Sequence, residues 1–254
     1  MSFQGKTAIV TGAASGMGLV FSENFALLGG NVLMCDVNRE TLEREAERIN
    51  SENSGKAETC LCDVRDYSAV CAARDQAVTS FGTIDILTNF AGGTATRILK
   101  VENDGSLEFP DIPIEVFDWG IDVNLKGQFY FAHACMKQMR EQESGLIVNI
   151  GSITGKEGDP YGMDYPTAKS GVMYGLTKSL ANYGSKYHVR CVCVSPGPVL
   201  TRPQMANMKT LLGRAAKPQE IVDLILFLAS DQGQFINGEN IMIDGGRNAM
   251  QRCN

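Results

Sequence analysis

Histidine is scarce in this chain: His133 and His188 are the only two. A zinc site or a Ser-His-Asp hydrolase draws on imidazoles placed in a matched motif, and two unmatched ones are thin support for either. A G-x-S-x-G nucleophile elbow is also missing. No two of the eight cysteines are spaced as C-x-x-C. Cys60/Cys62 and Cys191/Cys193 are two apart within strand-like runs, so each pair faces one side of a sheet. Together with Cys35, Cys71, Cys135 and Cys253 they read as core packing in a reducing compartment, and no metal is expected. There is no Lys/Arg cluster of the kind that meets nucleic acid, and the net charge of −6 is spread along the chain. No apolar run approaches the ~20 residues that span a membrane. Met1 to Lys6 lead almost directly into a strand-like segment, which leaves no room for a signal peptide, so the expected location is cytoplasmic.

What is present fits one α/β domain over 1–254. The chain has 254 residues, and its apolar fraction of 44% is ordinary for a globular protein. Its organising stretch is Tyr165-Pro166-Thr167-Ala168-Lys169. On a helix, a tyrosine and a lysine four apart share a face one turn apart. A free phenol, with a pKa of about 10, is a poor base at neutral pH, and a nearby ammonium favours the phenolate. A phenol lowered in this way can exchange a proton with an alcohol or carbonyl. Upstream, Ser152 follows the apolar run Leu146–Ile150, where a strand-end hydroxyl can bond a substrate oxygen.

Read in order, Lys6–Val10 is β-rich, Thr11 to Gly18 is a glycine turn, and a helical pattern follows through Phe21, Phe25 and Leu28. This strand-turn-helix context suits a dinucleotide. Gly12 allows the tight turn, Gly16 lets the backbone approach a pyrophosphate, and Gly18 permits close helix–strand packing. Asn31–Cys35 reads as the second strand. Asp36 ends it at the distance where an acid meets an adenosine ribose. Asn38 caps the next helix, which turns Leu42, Ala46 and Ile49 inward. A third strand (Ala57–Cys62, closed by Asp63), a helix with Val70, Ala73, Ala77, Val78 and Phe81, and a fourth strand (Ile84–Thr88) complete a βαβαβα alternation. That alternation implies a parallel sheet with ligands beyond its C-terminal strand ends.

A polar loop at 93–114 precedes a long amphipathic helix carrying Phe117, Ile121, Asn124, Phe129, Phe131 and Met136. A fifth strand then delivers Ser152. The loop Thr154–Gly162, the Tyr165–Tyr187 helix and a sixth strand from His188 to Val194 follow. After a connector at 201–217, a helix starts at Pro218, and Ile241–Ile243 is a seventh strand.

These motifs, in this order, resemble the short-chain dehydrogenase/reductase family over nearly the whole chain. The carrying residues are Thr11–Gly18, Asp63-Val64, Asn89-Phe90-Ala91-Gly92, Asn124, Ser152, Tyr165/Lys169, Pro196-Gly197 and Asp244-Gly245-Gly246. The resemblance implies a Rossmann-like, doubly wound α/β fold: seven parallel strands in a three-layer α/β/α sandwich, assembled as a homotetramer or homodimer. It implies NAD-dependent hydride transfer between nicotinamide and a secondary alcohol or ketone. Tyr165 would exchange the proton and Ser152 would polarise the substrate oxygen. Lys169 would bind the nicotinamide ribose and lower the tyrosine pKa, and Asn124 would place a water linking Lys169 to solvent. For the cofactor it implies Gly12, Ser15, Gly16, Met17, Gly18, Asp36, Asp63, Val64, Asn89, Ala91, Gly92, Tyr165, Lys169, Pro196, Gly197, Val199 and Thr201.

Two positions depart from the family pattern. Phe90 replaces its second Asn, and Val192 replaces the Asn in the strand before Pro-Gly; local packing is where they should matter.

Asp36 predicts NAD over NADP, because a carboxylate accepts from the 2′-hydroxyl and repels a 2′-phosphate. Ser15 occupies the place where NADP-preferring relatives often carry a base, and Arg39 is the nearby cation that would soften the preference. A sugar, polyol or sugar acid is the expected substrate, ahead of a 3-oxoacyl thioester or a hydroxysteroid. The segment Thr154–Asp159 and the short connector from Leu200 to Gly213 offer little apolar lining beyond Met205 and Met208, and Arg97, Lys100, Glu102 and Asp104 add polar groups. A dinucleotide-binding regulator without catalysis, and a hydrolase built on Ser152, are the readings from other classes; the full Asn-Ser-Tyr-Lys set argues against the first and the lack of a matched histidine against the second.

Overall fold

Alternating β-branched and aliphatic residues give seven short strands whose two faces bury different helices. The computed structural model describes residues 1–52, 55–95 and 108–250. The strands are β1 (Thr7–Thr11), β2 (Asn31–Asp36), β3 (Ala57–Leu61), β4 (Ile86–Asn89), β5 (Gly145–Ile150), β6 (Val189–Pro196) and β7 (Asn240–Ile243). They form one parallel sheet in the order β3-β2-β1-β4-β5-β6-β7. The order reverses between β1 and β4, and in such sheets ligands bind in the crevice beyond the strand ends at that switch point.

The helices are α1 (Gly16–Leu27), α2 (Arg39–Glu52), α3 (Tyr67–Phe81), α4 (Ile114–Ile121), α5 (Gly127–Gln142), α6 (Thr154–Glu157), α7 (Asp164–Ser170), α8 (Thr177–Gly184) and α9 (Pro218–Ala229). Side chains alternate along each strand. Ala8 and Val10 of β1 therefore join α1, α2 and α9 in one core, with Phe21, Phe25 and Ile49 fully buried. Ile9 joins α3, α5 and α8 in the other, with Phe131, Met139 and four buried cysteines, Cys35, Cys62, Cys135 and Cys191. The cysteines of the described residues are unpaired, as core packing requires; Cys253 lies outside those residues.

Local chemistry sets the boundaries. The Asp66 side chain accepts from the Ser68 and Ala69 N–H groups to start α3, and Gly82 ends it in the left-handed region at φ 83°. The Asn38 side chain caps α2 by accepting from Thr41 N at 3.2 Å. Lys217 precedes Pro218, and the Glu220 carboxylate accepts from the Lys217 N–H, fixing the start of α9. The two departures differ in their surroundings: Phe90 is half-buried, 5.9 Å from the Phe21 ring, and Val192 is fully buried in the same core.

The two long helices differ from the periodic pattern. Each contains a π-helical turn, Asp122–Lys126 between α4 and α5 and Gly171–Leu176 between α7 and α8. The Asn124 side-chain NH₂ donates to Gly120 O at 3.0 Å and to Gly93 O at 2.8 Å, and its Oδ1 accepts from Gly93 N at 3.0 Å. A side chain competing for the helix's own carbonyls is one recognised cause of such a bulge, and bulges collect at functional sites.

Candidate active site

The C-terminal ends of β1 to β5 and the start of α1 enclose a cavity of about 690 Å³. At its phosphate-binding end Gly12 and Gly16 both have positive φ, 66° and 59°. A Cβ on Gly12 would stand 2.9 Å from Ala91 N, and one on Gly18 only 2.3 Å from Gly12 O. These glycines let α1, the first turn and the loop after β4 converge, leaving the helix N-terminus free to meet an anion.

At one side, the Asp36 carboxylate is held by two backbone donors, Ala14 N and Asn38 N, both at 3.0 Å, and still borders the cavity. Asp63 is bound by Arg65 at 2.6 Å, which holds its carboxyl below the usual range. Arg39 pairs with Glu43 at 3.2 Å and does not line this cavity.

At the other side are Tyr165 and Lys169, one turn apart on α7. The Tyr165 phenol lies beside the Ser152 side chain, which works to lower its pKa. The Lys169 ammonium lies 5.6 Å from the centre of the tyrosine ring and donates to Ile150 O at 2.8 Å. Its burial pushes its pKa down to about 8. The expected lowering of the tyrosine by this lysine is not what the free protein displays. Burial raises the Tyr165 pKa above its ordinary value, and the neighbouring Ser152 side chain and the charge of Arg202 offset only part of the rise. The lysine donates to the Ile150 carbonyl, and the charge that works to lower the phenol is that of Arg202.

Of the residues expected to meet the cofactor, Gly12, Ser15, Gly16, Met17, Gly18, Asp36, Asp63, Val64, Ala91, Gly92, Tyr165, Lys169 and Thr201 line the cavity. Asn89, Pro196, Gly197 and Val199 do not line it. Asn89 is buried, donating to Asn149 Oδ1 at 3.1 Å. Val199 is packed in the core. A Cβ on Gly197 would sit 2.7 Å from Asp244 Cα, so that glycine serves contact between chain segments. Asn124 and Ser152 are not among the lining residues; Asn124 is fully buried, and Ser152 keeps 8% of its surface exposed.

Ten further residues complete the lining, among them Trp119, Val123, Ile150 and Arg202, which sequence reasoning did not assign to the site. Arg202 follows Thr201 in the connector, and no spacing rule marks it. Two charges expected to border the substrate are instead tied to the C-terminal segment: Glu157 is bound by Arg247 at 3.0 Å, and Lys156 donates to Asn248 at 2.8 Å. Arg97, Lys100, Glu102 and Asp104 lie outside the described residues.

The family described as enoyl-(acyl carrier protein) reductase matches residues 12–248. Over 260 residues the chain is 34% identical to a 3-oxoacyl-[acyl-carrier-protein] reductase of Thermotoga maritima, covering 97% of this chain and 99% of that one. It is 39% identical to trans-4-hydroxycyclohexanecarboxylate dehydrogenase of Sinomonas cyclohexanicum (96% and 93% covered) and 35% identical to D-threitol dehydrogenase of Mycolicibacterium smegmatis (95% and 92%). The chain belongs to the short-chain dehydrogenase/reductase family. Among solved structures, the enzyme superposes with a TM-score of 0.86 on a 3-oxoacyl-[acyl-carrier protein] reductase with bound NAD from Brucella melitensis, at 29% identity (96% and 92% covered). It superposes equally, at 28% identity, on an NAD⁺-bound xylitol dehydrogenase (97% and 100%).

It is an oxidoreductase of CH–OH groups, transferring a hydride between a nicotinamide dinucleotide and a secondary alcohol or ketone. The cavity fits such a cofactor on its own geometry. Its lining runs from Asp36 at one side to Tyr165 at the other, with the positive-φ Gly16 and the start of α1 between them, a helix N-terminus suited to a diphosphate. No helix among the described residues is long and apolar enough to cross a membrane.

Proposed function

We propose that the enzyme is an NAD-preferring dehydrogenase of a small polar secondary alcohol, a polyol, sugar or sugar acid, and that Asn124, Ser152, Tyr165 and Lys169 carry the reaction. The observation that supports these roles best is the placing of Tyr165 beside the Ser152 side chain at the edge of the cavity, with Lys169 one turn along the same helix. When bound, the nicotinamide supplies the hydride chemistry. The protein orients the substrate oxygen and moves its proton. Ser152 and Tyr165 present two hydroxyls to one oxygen: Ser152 holds it, and Tyr165 gives or takes the proton. In alcohol oxidation Tyr165 takes the hydroxyl proton, and in carbonyl reduction it returns one. Asn124 stitches the loop after β4 to the α4–α5 turn, which fixes the wall opposite Tyr165.

NAD is favoured because Asp36 is fixed by backbone donors beside the cavity, while Arg39, the cation able to welcome a 2′-phosphate, is engaged with Glu43. We expect kcat/KM for NAD to exceed that for NADP by at least about ten-fold. Equal efficiencies would contradict the assignment.

A polar substrate is supported by Arg202 in the lining and by the relatives that are D-threitol and xylitol dehydrogenases. A second reading, a 3-oxoacyl thioester, is favoured by the exposed Leu200, Leu211 and Leu212 on the connector beside Thr201 and by the acyl-carrier-protein reductases among the relatives. Xylitol, D-gluconate, a 3-oxobutyryl thioester and a hydroxysteroid, assayed side by side by NADH absorbance, separate the two. Turnover confined to the thioester or the steroid would overturn the polar reading. A homotetramer or homodimer in the cytoplasm completes the proposal.

A further inference from the structure

The site rests on a side chain that neither touches the cavity nor belongs to the proposed catalytic set. Gln128, in the first turn of α5, is buried. Its NH₂ donates to Ile150 O at 3.0 Å and to Asn124 O at 3.1 Å, and its Oε1 accepts from Ile150 N at 3.1 Å. Ile150 O is the carbonyl on which the Lys169 ammonium sits, at 2.8 Å. Ile150 is the last residue of β5, two before Ser152. One amide thus grips both polar groups of the strand end that precedes Ser152, the acceptor that holds Lys169, and the π-helical turn that carries Asn124.

We infer that Gln128 is a positioning residue for the reaction, fixing Ile150 so that Lys169 and Ser152 keep their places relative to Tyr165. An apolar residue at this site would fill the space but leave the Ile150 N–H without a partner and its carbonyl free to turn from the ammonium. A buried amide whose donors and acceptor are all engaged is rigid, and rigid neighbours hold reacting groups in place. The titratable groups facing Lys169 among the described residues are Tyr165 on its own helix and Cys193 on β6, so the carbonyl is a principal partner of the charge. The inference rests on the proposed roles of Tyr165 and Lys169.

The test compares Gln128→Met and Gln128→Glu with the wild type and with Tyr165→Phe. Each is assayed with NAD and xylitol, or with NADH and the 3-oxobutyryl thioester if xylitol is not turned over, across pH 6–10. For Gln128→Met we expect kcat to fall at least about ten-fold with KM for NAD within about two-fold, and the basic limb of the pH profile to move to lower pH, because the ammonium has lost a fixed acceptor. Gln128→Glu keeps the acceptor for Ile150 N–H but puts a carboxylate near Lys169, so its basic limb should move to higher pH. A folded Gln128→Met with wild-type kcat and an unmoved limb overturns the inference, as does a lower melting temperature as the only change. If the Met variant does not fold, the Glu variant decides: a limb that stays in place overturns it. Failure of both to fold assigns Gln128 to stability alone and overturns it as well. If Tyr165→Phe retains activity, the underlying assignment has failed instead, and the two failures are told apart.

Discussion

Lys169 has its charge in a place where charge is costly. Burial holds its pKa at about 8, below the ordinary value for lysine. In the folded enzyme the proton leaves as pH rises through about 8, whereas the unfolded chain keeps it to about 10.4. The unfolded state binds more protons in that window, so this group by itself stabilises the fold as pH rises, and a loss of rate there is not unfolding. We expect kcat/KM for NAD, which reports the free enzyme, to decline above about pH 8. A profile flat to pH 10 would show that the ammonium is not needed. Gly18 makes a second claim at this scale. A methyl at this residue meets the Gly12 carbonyl at 2.3 Å, and backbone cannot swing aside. Gly18→Ala should cost about 1–3 kcal/mol in denaturant unfolding and weaken NAD binding together. An unchanged midpoint would mean that α1 can withdraw from β1 without penalty.

Among elements, α7 depends on α4 through one missing side chain. The buried Asp164 begins α7, next to Tyr165, and a Cβ on Gly120 of α4 would stand 2.1 Å from Asp164 Oδ2. Burial raises the Asp164 pKa, and backbone N–H groups, including those of Tyr165 and Ala95, offset part of that rise. Gly120→Ala should push α7 and hence the Tyr165 hydroxyl away from Ser152, lowering kcat by about ten-fold or more while the variant remains folded by circular dichroism. Wild-type kcat would show that α4 yields instead.

The strands and helices themselves were legible from the chain. The β-rich apolar run of β1 and the helical spacing at Leu42, Ala46 and Ile49 encode burial directly, and the fold buries those residues. The π-helical turns, the grip of Gln128 on Ile150 and the place of Arg202 were not. Each depends on partners distant in sequence, and periodicity records which face is apolar, not which carbonyl a buried amide will find. Spacing likewise put Lys169 near Tyr165 but said nothing of Ile150 O, which takes the ammonium.

For the molecule as a whole, apolar and aromatic side chains remain on the outside of the two long helices. Phe117 and Phe129 near the α4–α5 turn and Tyr174 and Tyr183 along the α7–α8 turn are all more than a third exposed. A lone subunit leaves these in water, and burying them against a second copy is favourable at about 25 cal/mol per Å². Sedimentation at micromolar concentration should therefore give a dimer or tetramer, and a 27.5 kDa species alone would contradict it. The central claim is narrower and concerns one hydroxyl. Replacing Tyr165 with Phe removes the hydroxyl beside Ser152 and leaves the ring beside Lys169. The most direct measurement is turnover of Tyr165→Phe together with NAD binding, followed by quenching of the single tryptophan, Trp119, which lines the cavity. The account predicts a fall in kcat of about 10²–10⁴-fold with NAD affinity within about three-fold of wild type. Near-normal turnover in the folded variant would contradict it.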